Sequence, residues 1–199
     1  TMQEAPAWVK EKLNTLRAEE GLAPIENPNY GYWAPVVRKI RNGLYRMYYC
    51  IVVNDNIDGE NSWGERAFIG LMETADPASN QWEDKGYVIC SSSDKGMNDY
   101  GRPSASDWNA YFKYNAIDPT LVITSDNRHW LTYGSWHSGF ATIELNPETG
   151  KTMNELPSPW AIQDNSYGAL VATRGDSNNR WQASEGPDVV YRGGFFFFF

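Results

Sequence analysis

The chain has 199 residues, enough for one domain with a substantial hydrophobic core. Its 17 Lys and Arg residues stand against 25 Asp and Glu residues, a formal charge of -8, and no basic run occurs, so nucleic acid is not an expected partner. Apolar runs such as Phe195 to Phe199 are far shorter than the ~20 residues that span a bilayer, and no leader pattern opens the sequence. We therefore expect a soluble protein with no membrane partner.

Aromatic residues make up 15% of the chain, with 9 Trp and 12 Tyr, alongside 17 Gly and 11 Pro. This composition is typical of an all-β protein with tight turns, and aromatic faces also form the walls of sugar-binding clefts. A Trp-rich β core would explain the same numbers without any ligand. The two cysteines, Cys50 and Cys90, are compatible with one disulfide or with two buried thiols.

One helix is predicted near the start of the chain, over residues 8 to 20, because apolar residues share one helical face there and Gly21 follows as a stop signal. Beyond this segment the apolar residues fall into runs of about five to eight, separated by turn dipeptides. That pattern predicts antiparallel hairpins.

Three of the predicted hairpins share one plan: a strand led by proline, a tight turn and an aromatic strand. The units cover residues 33–49, 117–133 and 185–199, with prolines at 35, 119 and 187 and turns at Asn42-Gly43, Asp126-Asn127 and Gly193-Gly194. Further strands are predicted at 67–72, 87–90 and 141–145. Four strands per unit is the composition of a β-propeller blade.

Two carboxylates, Asp118 and Glu185, lie just before a proline of these units. An isolated Asp-Pro is usually a turn signal, but its recurrence at the same place in successive units favours side chains that share one central cavity. Glycoside hydrolysis uses two carboxyl groups, one of which stays protonated and donates to the leaving oxygen. The sequence therefore points to this chemistry.

On these residues the sequence resembles glycoside hydrolase family 43, most closely its endo-acting arabinanases. The resemblance runs from about residue 30 to the end of the chain, and the matching stretches are Tyr32-Trp33-Ala34-Pro35, Phe68-Ile69-Gly70-Leu71, Asn115-Ala116-Ile117-Asp118-Pro119, Gly134-Ser135-Trp136, Ser138-Gly139 and Glu185-Gly186-Pro187. It implies a five-bladed β-propeller, of which residues 1–199 supply roughly three blades as a partial catalytic domain.

The resemblance also implies roles for the carboxylates. Glu185 matches the general acid, and Asp118 matches the aspartate that tunes the acid. We expect an ionised Asp118 and partial burial of Glu185 to keep Glu185 protonated near neutral pH. Nothing before Trp33 matches the family's general base, so the base is expected outside this chain.

Substrate-binding positions follow from the same resemblance, with Trp33 as a stacking face. The positions are Trp33, Gly64, Asn115, Ala116, Ile117, Ser135, Trp136 and His137. No metal site is predicted from the two histidines, and His129 is expected on a strand surface. A structural calcium ion is expected only in a complete propeller.

The predicted activity is cleavage of α-1,5-linked L-arabinofuranose in arabinan with inversion of configuration. One alternative is an exo-acting α-L-arabinofuranosidase or β-xylosidase of the same family. Another is a non-catalytic carbohydrate-binding propeller, because no base is evident. A polysaccharide substrate implies a secreted, periplasmic or cell-surface protein.

Overall fold

The computed structural model describes residues 4–19, 21–53, 66–92, 113–160, 162, 164–174 and 184–199. One α-helix, α1 (Ala7–Glu19), precedes the strands, and a short 3-10 turn covers Pro77–Ser79. The strands are β1 (Tyr30–Arg41), β2 (Leu44–Val53), β3 (Arg66–Thr74), β4 (Glu83–Cys90), β5 (Thr120–Ile123), β6 (His129–Tyr133), β7 (Phe140–Leu145), β8 (Ala169–Ala172), β9 (Val189–Arg192) and β10 (Phe195–Phe198). Within these ranges no helix has the length and apolar character needed to cross a membrane.

The strands form antiparallel sheets in chain order. One sheet has the order β1-β2-β3-β4 and a second has the order β5-β6-β7-β8, while β9 and β10 form a two-stranded unit. The three predicted hairpins are confirmed as β1–β2, β5–β6 and β9–β10, and the predicted helix is confirmed as α1. Strand β8 was not predicted from the sequence.

Pro35 lies inside β1, five residues after its start, and does not lead the strand as expected. The pairing of β1 with β2 shifts register between Trp33 and Val36. A proline has no N–H to donate, and a bulge is one of the few places in a sheet where that loss is tolerated. The shift therefore explains how β1 continues through Pro35.

Helix α1 covers one face of the first sheet. Val9, Leu13 and Leu16 of the helix are buried. The Trp8 ring meets Phe68 edge-on, with ring centroids 6.1 Å apart. Burial of such apolar side chains contributes on the order of 1.5–3 kcal/mol each.

A buried arginine connects the two four-stranded sheets. Arg46 of β2 is fully buried, and its Nε donates to Glu73 Oε1 of β3 at 2.8 Å. The two terminal nitrogens of Arg46 donate to the carbonyl oxygens of Pro147 (2.8 Å) and Glu148 (2.6 Å), in the turn that follows β7. The backbone of Gly150 packs against the Arg46 guanidinium, and a Cβ at this position would lie only 2.8 Å from Arg46 Nε.

His129 is completely buried at the start of β6, so the expectation of a surface position was wrong. Neither of its ring nitrogens has a hydrogen-bond partner among the described residues. Burial, together with the nearby positive charge of Arg46, lowers the pKa of His129. The ring is therefore held neutral against the junction between the two sheets.

Candidate active site

The same backbone geometry recurs in front of the three unit prolines. Ala34, Asp118 and Gly186 directly precede these prolines, and all three have a positive φ, of 43°, 53° and 63°. The residue before a proline normally adopts an extended conformation. This shared departure indicates that the three units repeat one backbone path where the candidate carboxylates lie.

Asp118 and the segment that carries Glu185 are in direct contact. The backbone N–H of Gly186, the residue after Glu185, donates to Asp118 Oδ2 at 3.0 Å. Partial burial is the main influence on the pKa of Asp118 and raises it, and the negative charge of Glu185 raises it further. The Gly186 amide and the Ser135 hydroxyl act in the opposite direction and lower this pKa. The structure therefore brings the two predicted carboxylates together.

The burial of the two carboxyl groups differs from the expectation. Glu185 is exposed, whereas Asp118 is the partly buried carboxyl. The expected desolvation of Glu185 is therefore wrong for the described residues, and desolvation acts on Asp118 instead. The exposed side chain of Glu185 leaves its carboxyl group accessible to a ligand.

Trp136 fixes both the backbone and the side chain beside the candidate acid. Its indole Nε1 donates to Glu185 Oε1 at 2.5 Å, and its backbone N–H donates to Ser184 O at 2.8 Å. Trp136 and His137 have positive φ values of 56° and 47°, which turn the chain tightly between β6 and β7. Ser135 and His137 are buried on either side of Trp136, which is itself half-buried.

Asn115, Ala116 and Ile117 lie beneath the site and are buried. The Ser91 hydroxyl donates to Asn115 Oδ1 at 3.0 Å and accepts from the Ala116 N–H at 3.1 Å. Gly134 N–H donates to Ile117 O at 3.0 Å and so joins this segment to the Trp136 turn. Ser91 was missed in the sequence analysis, because a serine at the end of a strand has no distinctive pattern.

A buried thiol lies next to Asp118. Cys50 of β2 is fully buried, and Cys90 is 2% exposed. Both cysteines are free, so the structure has two buried thiols and no disulfide between them. Burial and the charge of Asp118 raise the pKa of Cys50. Trp33 pairs with Cys50 across β1 and β2, so this half-buried indole lies on the strand next to that thiol. Gly64 lies outside the described residues.

The described part of the chain does not fit a metal ion. It contains no group of three or more His, Cys, Asp or Glu side chains that could hold one. The described residues therefore offer no such side-chain cluster to the calcium ion that the resemblance associates with a complete propeller.

The family model of the glycosyl hydrolases family 43 matches residues 8–199. The chain belongs to this family. Among curated relatives, the extracellular endo-alpha-(1->5)-L-arabinanase 1 of Bacillus subtilis (strain 168) is 31% identical over 173 residues, which cover 85% of this chain.

Solved structures of arabinanases resemble the chain as well. The GH43 endo-arabinanase from Bacillus licheniformis is 30% identical with a TM-score of 0.55, over 84% of this chain and 43% of that one. An exo-1,5-alpha-L-arabinanase from a bovine ruminal metagenomic library is 25% identical with a TM-score of 0.58, over 99% of this chain and 50% of that one. The chain spans 41% of the length of the B. subtilis relative.

Proposed function

We propose that this chain is the acid-bearing part of an inverting glycoside hydrolase that cleaves α-1,5-linked L-arabinofuranose in arabinan. The observation that carries the proposal is the contact between Asp118 and the Glu185 segment in a family 43 chain. Its relatives with 30% identity or more are named as endo-arabinanases, which supports arabinan as the substrate.

In this proposal Glu185 donates a proton to the leaving glycosidic oxygen. Its carboxyl group is exposed to an incoming sugar, while the Trp136 indole holds one of its oxygens. Asp118 anchors the Gly186 amide and so fixes the position of the acid. Inversion also requires a base across the ring, about 6.5–9.5 Å from the acid, with one water between them. We assign that base to residues outside this chain.

We further propose that residues 1–199 supply about three blades of a five-bladed β-propeller. Two four-stranded antiparallel sheets and a third hairpin support this count, since a blade has four such strands. The chain's coverage of about two fifths of a curated relative is consistent with a partial propeller. The word extracellular in the relatives' names supports a secreted, periplasmic or cell-surface location.

The proposal is tested by Glu185→Gln in the protein that carries this chain, assayed on linear arabinan. We expect kcat to fall by about 10²- to 10⁴-fold, because glutamine cannot donate the proton, with binding of arabino-oligosaccharides nearly unchanged. Glu155→Gln is the matched control, since Glu155 is also exposed but lines a different cleft, beside α1. Equal activity of Glu185→Gln and wild type would reject the assignment of the acid.

The products separate the endo and exo forms of this activity. The likeness to an exo-acting arabinanase gives the exo form specific support. Oligosaccharides released early from linear arabinan indicate endo cleavage, whereas monosaccharide or one short product alone indicates exo cleavage. Binding of arabinan without any hydrolysis by the wild-type protein would favour a non-catalytic binding propeller instead.

A further inference from the structure

A hydrogen-bond network around Asp188 joins the first strands of the three units. Asp188 Oδ1 accepts from Thr120 Oγ1 at 2.9 Å and from Arg38 Nη2 at 3.4 Å, and it also accepts from the Val189 N–H at 3.0 Å. Arg38 Nε donates in addition to Leu121 O at 3.1 Å. Three donor groups thus bind the Asp188 carboxylate, and a fourth binds the Leu121 carbonyl oxygen.

The members of this network come from three separate sheets. Arg38 lies in β1, Thr120 begins β5, and Asp188 immediately precedes β9. No backbone ladder joins β1, β5 and β9 to each other, because each pairs within its own sheet. Side chains therefore fix the relative positions of these strands at this point.

The network lies close along the chain to both carboxylates. Thr120 is two residues after Asp118, and Asp188 is three residues after Glu185, which corresponds to at most about 7 and 11 Å of extended chain. The bond from Gly186 N–H to Asp118 ties the same two segments on the other side of Pro119 and Pro187. A single hydrogen bond would allow the two segments to rotate relative to each other. Two hydrogen bonds, one on either side of the prolines, set their relative orientation.

We propose that Arg38, Thr120 and Asp188 are positioning residues for the Asp118 and Glu185 pair. Thr120 and Asp188 occupy equivalent places, each directly after its unit proline. The hydrogen bond between Thr120 and Asp188 therefore joins the same position of two different units. The inference rests on the proposed function, because its effect is read out in the cleavage of arabinan.

A double-mutant cycle on Thr120 and Asp188 tests the inference in the protein that carries this chain. Asp188→Ala is expected to lower kcat on linear arabinan by about 10- to 100-fold, because a displacement on the order of 1 Å misaligns the acid. KM is expected to change by less than about twofold. Thr120→Val is expected to lower kcat as well, and the double variant no further than Asp188→Ala, because both changes break the same bond.

Thr132→Val is the matched control. Thr132 is also a buried threonine of the second sheet, and its hydroxyl forms a 2.7 Å hydrogen bond with that of Thr142. This variant is expected to lose thermal stability but to keep its kcat. Asp188→Asn retains an oxygen that accepts from Thr120 and Val189, so we expect it to restore kcat to within about threefold of wild type.

Each outcome decides for or against the inference. If Thr120→Val lowers kcat no more than Thr132→Val, or if the two changes in the cycle are additive, the network does not position the carboxylates. If Asp188→Ala does not fold, Thr120→Val and Asp188→Asn still carry the test. A Glu185→Gln variant measured in parallel separates the causes: full activity there rejects the function itself, whereas its loss with an additive cycle rejects only the positioning role.

Discussion

Asp118 combines two features that cost the folded state free energy. Its φ of 53° lies in the left-handed region immediately before a proline, a conformation that is disfavoured for residues other than glycine. Its carboxyl group is partly buried, and burial raises its pKa. Such costs are typical of functional positions, where the surrounding structure holds a residue in an unfavourable state.

Asp118→Asn is expected to raise the free energy of unfolding at pH 7, although we propose that Asp118 serves catalysis. Because the pKa of Asp118 is raised on folding, the folded state binds more protons than the unfolded state between the unfolded pKa, about 3.9, and the higher folded pKa. The free energy of unfolding of the wild type therefore decreases as pH rises through this window. The Asp118→Asn variant does not titrate at this position and lacks this decrease. Denaturant unfolding at pH 3.5 and pH 7 measures the difference.

Asp126→Asn serves as the control with the opposite sign. Asp126 lies in the turn of the same β5–β6 hairpin, and its hydrogen bond with Thr124 lowers its pKa. This variant is expected to lose stability at pH 7 and to match wild type below the folded pKa. A gain in stability for both variants would show that the loss of any acidic charge, and not the burial of Asp118, is responsible.

At the scale of elements, the junction of the two four-stranded sheets depends on Arg46. Arg46→Met is expected to cost about 3–5 kcal/mol of unfolding free energy, because Glu73 and two carbonyl oxygens lose a fully buried donor. Arg41→Met is the control, since Arg41 approaches Glu148 at 3.6 Å on the surface and such pairs contribute less than about 1 kcal/mol. Urea unfolding measures the free energy of unfolding of both variants. An equal loss for Arg46→Met and Arg41→Met would show that the buried arginine stabilises the fold no more than a surface ion pair does.

The hairpins were predictable because local chemistry specifies them. Gly43, with a φ of 72°, supplies the positive φ that the turn between β1 and β2 requires, and the runs of apolar residues on either side of the turn predict the strands. Strand β8 was missed, because its four residues, Ala169–Ala172, are too short to show a period of two. The bulge at Pro35 was also missed, since a register shift depends on the partner strand.

Contacts across long sequence separations could not be predicted in the same way. Arg46 meets its carbonyl partners about a hundred residues later in the chain, and the buried His129 lies near this junction. Asp118 and Glu185 were selected correctly as neighbours, since both precede a unit proline. Which of the two is buried depends on the tertiary structure around Asp118, where the buried residues Cys50 and Ser135 lie, and no sequence spacing reveals their positions.

At the scale of the whole molecule, polar side chains connect separate sheets in addition to a shared hydrophobic core, whose buried residues come from both four-stranded sheets. Arg46 joins the first and second sheets away from the candidate site, and Arg38 joins the same two sheets near it. Asp188 extends the second connection to the β9–β10 unit. In the positioning role proposed for Arg38, Thr120 and Asp188, the hydrogen bonds that connect the units at this point also orient the candidate acid.

Within the 199-residue chain, the β9–β10 unit has an exposed apolar edge, which a further strand would cover in the proposed propeller. Among the described strands, β10 pairs only with β9, and its phenylalanines are 39% to 71% exposed. An exposed apolar edge strand is a template for pairing with another chain. Phe198 differs from Phe197, because its ring packs 5.5 Å from that of Phe140 against the second sheet.

We therefore expect Phe197→Glu to reduce self-association of the 199-residue chain, measured by light scattering over a concentration series, with its melting temperature nearly unchanged. The Phe197 side chain is 48% exposed, and an added negative charge reinforces the repulsion of a molecule that already carries a net charge of -8. Phe198→Glu should instead lower the melting temperature, because it places a charge in the apolar contact with Phe140. If Phe197→Glu associates as strongly as wild type, chains do not meet through β10.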